Sequence, residues 1–232
     1  MPKATQSQAL EKVPLFADLT PQELESLARR AVLRRYRPGE WLFSEGEPCE
    51  GLFVIESGEV RIFKSSAGGR EQVLGIEVAG NSVAELPVFD GGAYPASAAA
   101  LTEVTIRYIP KQDFRAFCLE HPQVALKVLK VVGMRLRRLV EVIEELSFTT
   151  VRQRFAALLL RLARSKGERT ARGVEFPLPA TNQELASQLG TVRELVSRNL
   201  SSLQAAGVVR LEGRRVIIPE IKALESEAAA ED

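Results

Sequence analysis

The chain has 232 residues, enough for one large or two ordinary domains, and 45% hydrophobic content supports real cores. No apolar run approaches membrane-spanning length, and the opening MPKATQSQALEKVP has no signal-peptide apolar region, so a soluble, cytoplasmic protein without a membrane partner is expected. The formal charge of +1 conceals an asymmetry: residues 149–219 hold 12 Lys/Arg against 5 Asp/Glu, residues 1–148 hold 18 against 20, and residues 220–232 hold 1 against 5.

Residues 1–12 are polar and read as frayed. In VPLFADLTPQELESLARRAVLRRY, Thr20 caps a helix with Pro21 at its first position and Leu24, Leu27, Ala28 and Ala31 on one face. From Arg37 the period changes to short β-prone runs over 41–43, 52–55, 59–63, 72–78, 97–101 and 104–109, separated by glycines. Such spacing predicts a small antiparallel barrel or roll. Cys49 and Cys118 are too few and too far apart for a zinc ribbon or an iron–sulfur cluster, and read as ordinary thiols. His121, the only histidine, reads as a helix flank, with a metal or haem ligand as the minority alternative.

After a short helix over 111–119, residues 121–146 read as one long helix in which Ala125, Leu129, Val132, Leu136, Leu139, Ile143 and Leu146 form an unbroken heptad seam. A second stripe of Val124, Val128, Val131 and Val142 is more than a two-stranded seam needs, so the helix should also lie on its own β-roll. A parallel homodimer along this seam is expected, against a buried intradomain helix as the alternative. Residues 147–150 read as a hinge. Residues 151–165 form a helix with Phe155, Leu158, Leu159 and Leu162 inward and Arg152, Arg154, Arg161 and Arg164 outward. Residues 166–174 read as a loop and 176–178 as an edge strand.

The stretch TNQELASQLGTVRELVSRNLSSLQAAG carries two helices about a Gly190 turn, with capping boxes expected from Thr181/Glu184 and from Thr191/Glu194. The second helix offers Arg193, Glu194, Ser197 and Arg198 on its outer side. In a major groove Arg forks onto guanine, Glu accepts from cytosine and Ser serves either partner; the plainer alternative is a solvated helix face. VVRLEGRRVIIP follows as a hairpin with Gly213, Arg214 and Arg215 at its tip, completing a winged helix-turn-helix. Residues 222–232 read as an acidic mobile tail. The expected class is α+β: a β-roll over 1–120, a dimerisation helix and hinge over 121–148, a winged helix-turn-helix over 149–221, then the tail.

With PGEWLFSEGE, GLFVIESGEVRIFK and LGTVRELVSR in this order, the chain resembles the CRP/FNR family of bacterial transcription regulators over nearly its whole length. The resemblance implies a homodimer that reads an inverted repeat in double-stranded DNA and meets RNA polymerase. It implies base reading by Arg193, Glu194, Ser197 and Arg198 at a half-site of the TGTGA or TTGTGA kind, and phosphate contacts by Arg152, Thr181, Thr191, Gly213 and Arg214. The family's cyclic-phosphate cassette has Gly-Glu and, about ten residues on, Arg-Ser; here Ala84-Glu85 and Pro95-Ala96 stand there. Leu139 and Val140 replace the Thr-Ser pair that meets adenine. An effector pocket around Ala84, Glu85, Tyr94, Ser97, Leu139 and Val140 that does not take cyclic AMP is therefore expected, because a buried phosphate would lack its cation. The YPASA wording is closer to nitric-oxide-responsive or redox-responsive members, some using haem, for which His121 and Pro2 are the candidate ligands. The iron–sulfur mechanism needs cysteines this chain lacks. The rival readings are a cyclic-nucleotide-type relay module that binds protein instead of DNA and, third, an enzyme, for which no paired-carboxylate, nucleophile–base or metal-ligand set stands out.

Overall fold

The computed structural model describes residues 10–178 and 181–229. They fall into two compact units, one of residues up to Lys64 with Leu74–Leu139, the other of Ser65–Val73 with residues from Val140 onward.

The first unit opens with buried Leu10 and Val13, which corrects the expectation that residues 10–12 are frayed. Helix α1 (Pro21–Arg30) starts in a capping box: Thr20 Oγ1 accepts from the Glu23 N–H at 3.4 Å and Glu23 Oε2 accepts from the Thr20 N–H at 2.6 Å. The helix buries Leu24, Leu27 and Ala28 and ends at Arg30, so Ala31, expected on its apolar face, is the extended residue that follows it. Residues Val32–Tyr36 are instead strand β1, drawn out of the helix by full antiparallel register with Val104–Tyr108. Pairing with a distant strand outweighs local helix propensity here.

Strands β2 (Trp41–Phe43), β3 (Gly51–Ser57), β4 (Glu59–Ser65), β5 (Glu71–Val78), β6 (Ser82–Val83), β7 (Ser97–Ala100) and β8 (Val104–Pro110) complete two four-stranded sheets, ordered β1-β8-β3-β6 and β2-β7-β4-β5. Phe43, Phe53, Val54, Ile55, Ala98 and Ile106 fill the roll, joined by Phe16 and by Phe114 and Phe117 of α3 (Lys111–Glu120). Between β6 and β7 a short helix α2 (Glu85–Asp90) appears where no helix was expected. Helix α4 (Pro122–Phe148) then runs for 27 residues, so the break reduces to Thr149 and Thr150. Of the expected second stripe, Val124 and Val128 of α4 are buried against the roll core, while Val131 and Val142 are half-buried.

In the second unit, Thr150 caps α5 (Val151–Lys166) in another capping box. Strands β9 (Glu168–Thr170) and β10 (Gly173–Pro177), helices α6 (Asn182–Leu189) and α7 (Arg193–Ala205), and strands β11 (Arg210–Glu212) and β12 (Arg215–Ile218) follow. The sheet order is β11-β12-β10-β9, so β10 is an interior strand, not the expected edge, and part of the expected 166–174 loop is the edge strand β9. The expected mobile tail is also corrected: Ile221–Ala229 forms α8, with Leu224 wholly buried in the core beside Phe155 and Leu159. Residues 230–232 lie outside the described part.

Candidate functional site

The α6–turn–α7 unit is set by its ends. Thr181 and Glu184 cap α6 reciprocally, the Thr181 N–H reaching Glu184 Oε2 at 2.6 Å. Gly190 closes it at φ 66°, and a Cβ there would collide with Gln72 and Leu146. The Thr191 N–H then reaches back to the Ala186 carbonyl at 3.0 Å, a helix-ending bond that pulls Thr191 inside. The second capping box is therefore absent: Val192 is the residue before α7, and no side chain caps it.

Along α7, Val196, Leu200 and Leu203 are buried while Arg193, Glu194, Ser197 and Arg198 are all exposed. None of these four has an ion pair or side-chain hydrogen bond to another described residue, so two guanidinium forks, a carboxylate and a hydroxyl stand together on one face. That set can pair with base edges.

The expected phosphate contacts divide. Thr181 is exposed at the start of α6, and Gly213 and Arg214 are exposed at the hairpin tip, with Gly213 at φ 61°. Thr191 is buried and Arg152 is occupied: its Nε and Nη2 meet the Glu227 carboxylate at 2.6 and 2.7 Å, and its Nη1 donates to Ser202 Oγ at 2.6 Å. Neither is presented to a phosphate in this structure. Arg154, expected outward, is also turned in, donating to the Leu189 carbonyl at 3.0 Å and to the Thr149 carbonyl, which ties the end of α6 to the α4–α5 junction.

The wing is organised by a residue the sequence reading missed. Glu175 on β10 is buried, accepts from Arg172 (Nη2 at 2.9 Å, Nε at 3.0 Å), Thr170 (2.7 Å) and Arg215 (2.8 Å), and these bonds hold its carboxyl at about 2, below the ordinary 4.5. Because the folded-state value is the lower one, Glu175 stabilises the unit fully above pH 4.5 and the contribution is lost as pH falls through about 2. Acid titration of the melting temperature is expected to show a shallower fall between those limits in Glu175→Gln, from a lower neutral-pH starting point; parallel curves would refute this.

On α4 the seam is bare within one chain. Leu129, Leu136 and Ile143 are 67%, 62% and 63% exposed, and Leu139 and Leu146 are exposed as well; Ala125 and Val132 pack partly on the roll. The same helix walls a cavity of about 570 Å³ with Val132, Arg135, Leu136, Arg138 and Leu139, facing Phe43, Ile62, Leu74, Val83 and Leu86. Of the expected pocket residues, Ala84, Glu85, Tyr94 and Leu139 line it. Two expectations are corrected. Val140, next to Leu139, is exposed and does not line the cavity, and Ser97 is buried outside the lining, accepting from the Glu45 N–H at 2.9 Å. Arg135 was missed, since nothing in its own heptad position marks it; it binds Glu85, the Ser82 carbonyl and, at 3.3 Å, Glu77. Ser82 Oγ donates to the other Glu85 oxygen at 2.5 Å.

Residues 33–121 match the cyclic nucleotide-binding domain and residues 153–227 the Crp-like helix-turn-helix domain. A CRP-like cAMP-activated global transcriptional regulator of Mycobacterium tuberculosis is 31% identical over 215 residues, covering 93% of this chain and 96% of its own. The chain belongs to the CRP/FNR family. As such it is a DNA-binding transcription regulator, which decides against the protein-binding relay module. The cyclic AMP receptor protein of Thermus thermophilus is 33% identical over 212 residues (91% of this chain, 95% of that one), and a mutant CooA from Carboxydothermus hydrogenoformans superimposes with a TM-score of 0.71 at 25% identity, covering 86% and 88%.

Against the family's cassette, Ala84 is informative. It adopts φ 72° and ψ 27°, the sole positive φ of a non-glycine among the described residues. The left-handed turn survives with Ala where the family has Gly, at a cost of about 1–2 kcal/mol. Glu85, which follows, is buried and neutralised by Arg135. Pro95 and Ala96 line the cavity and bring no cation to the Arg-Ser positions. A haem does not fit this lining: it contains no His, Cys or Met among the described residues, and Tyr94 spends its oxygen accepting from the Glu50 N–H at 3.1 Å. His121 lies elsewhere, its Nδ1 2.9 Å from Glu23, and Pro2 is outside the described residues. Both thiols are buried, and burial pushes Cys118 up to about 11 and Cys49 upward, so neither is poised as a thiolate.

Proposed function

We propose that this CRP/FNR regulator acts as a homodimer clasped along α4, and that it reads an inverted-repeat operator with Arg193, Glu194, Ser197 and Arg198 of each copy. The exposed leucine seam carries this reading. Fully burying each such side chain is worth about 1.5–3 kcal/mol, and a second copy of the same helix offers the self-complementary face. A dimer would set the two α7 helices about 34 Å apart, one turn of B-DNA. Thr181, Gly213 and Arg214 would hold phosphates, and RNA polymerase would be the further partner. The protein would work in the cytoplasm. Gel shifts on palindromic against scrambled duplexes test the operator claim.

The cavity against α4 is the effector site in this reading, and its signal is not cyclic AMP; a signal from the non-cyclic-AMP branch, as in nitric-oxide-responsive or redox-responsive members, is the family alternative. Pro95 and Ala96 leave a cyclic phosphate without its cation, and Arg135 is already committed to Glu85 and Glu77. Ligand binding would act by shifting α4 and the spacing of the two α7 helices, without a new DNA contact. Calorimetry with cyclic AMP is expected to give no heat of binding at micromolar ligand; a micromolar dissociation constant would overturn the assignment.

A further inference from the structure

The charges lining the cavity are unequally satisfied. Glu85 and Glu77 share Arg135, and Lys64 Nζ is held by Glu45 at 2.7 Å and lies 3.4 Å from the Pro95 carbonyl. Arg138 has no ion-pair or hydrogen-bond partner among the described residues. Its guanidinium lies along β5 where Gly75 has no side chain, 3.9 Å from the place a Cβ would occupy. The rest of the wall is overwhelmingly hydrocarbon. From this pattern we infer that the cavity takes an amphipathic monocarboxylic acid, its apolar body among Phe43, Ile62, Leu74 and Leu136 and its carboxylate on Arg138.

Electrostatic balance favours a single negative charge. One uncommitted cation offsets one anion, and among the described residues no second free cation lines the cavity to meet the further charge of a phosphate monoester. Arg138 is exposed, so its guanidinium sits where the apolar cavity meets solvent, and an uncharged ligand would fill the volume and leave that cation unused. Arg also suits a carboxylate by shape, since its planar fork donates to both oxygens in parallel. A cavity of about 570 Å³ is in the usual range for a small organic ligand.

This inference rests on reading the cavity as the effector site, and the two can fail separately. Calorimetry on the full chain would compare decanoate with decan-1-ol, which has the same body and no charge. The acid is expected to bind about tenfold more tightly, the worth of one partly solvated charge-assisted bond. Arg138→Gln should lower acid binding to the alcohol's level and leave the alcohol unchanged, while Arg138→Lys should restore part of the preference. L86W, at a half-exposed position of the wall, should change its emission when decanoate enters. Equal affinity for acid and alcohol, a preference that survives Arg138→Gln, silent emission, or no binding of either probe would each overturn the inference. The effector reading is tested apart from it by Ala96→Phe, which fills the cavity: an altered operator affinity supports that reading whatever the probes do, and an unaltered one contradicts it.

Discussion

Ile143→Glu is expected to leave each chain folded and to abolish tight operator binding. Ile143 is 63% exposed and belongs to no core cluster of its own chain, so the substitution removes little from the monomer. In a parallel seam it would set two carboxylates against each other between Leu139 and Leu146, adding like-charge repulsion to the lost burial. Monomers retain one recognition helix each and lose the linkage between half-sites, which is worth about 10²–10⁴ in affinity. Sedimentation velocity and operator titration at matched concentrations check both parts. A dimer with undiminished operator affinity would count against the seam.

Arg193→Ala is expected to relax specificity at one base position. The exposed guanidinium has no partner within the described residues, so its removal costs the fold nothing, and a bidentate Arg–guanine pair discriminates by about 1–3 kcal/mol. Titration against every single-base variant of a TGTGA half-site should show a preference of that size at one guanine for the unmodified protein and none for the variant. A variant that keeps the same ranking of bases would move the reading to other residues.

What could be read from sequence, and what could not, follows the range of the forces involved. The exposed polar face of α7 was legible because it depends only on helical period: Val196, Leu200 and Leu203 inward force Arg193, Glu194, Ser197 and Arg198 outward. The same holds for Val124 and Val128 against the roll and for the bare leucine seam. Failures came where a remote partner decided the outcome. Val32–Tyr36 became a strand because β8 was there to pair with it, and the acidic tail became a helix because Leu224 fits the core and Glu227 meets Arg152. Arg135 reaches Glu85 across 50 residues, and Glu175 gathers Arg215 across 40, separations at which charge patterns in sequence are silent. Thr191 shows the smallest kind of miss: the turn at Gly190 consumed its N–H and moved the start of α7 by one residue.

The mass of the protein bound to one symmetric duplex tests the central claim most directly. Sedimentation equilibrium should find two chains on an inverted repeat, with affinity falling by roughly two orders of magnitude when about five base pairs, half a turn, are inserted between the half-sites. One chain per duplex, or equal binding to the two spacings, would contradict it.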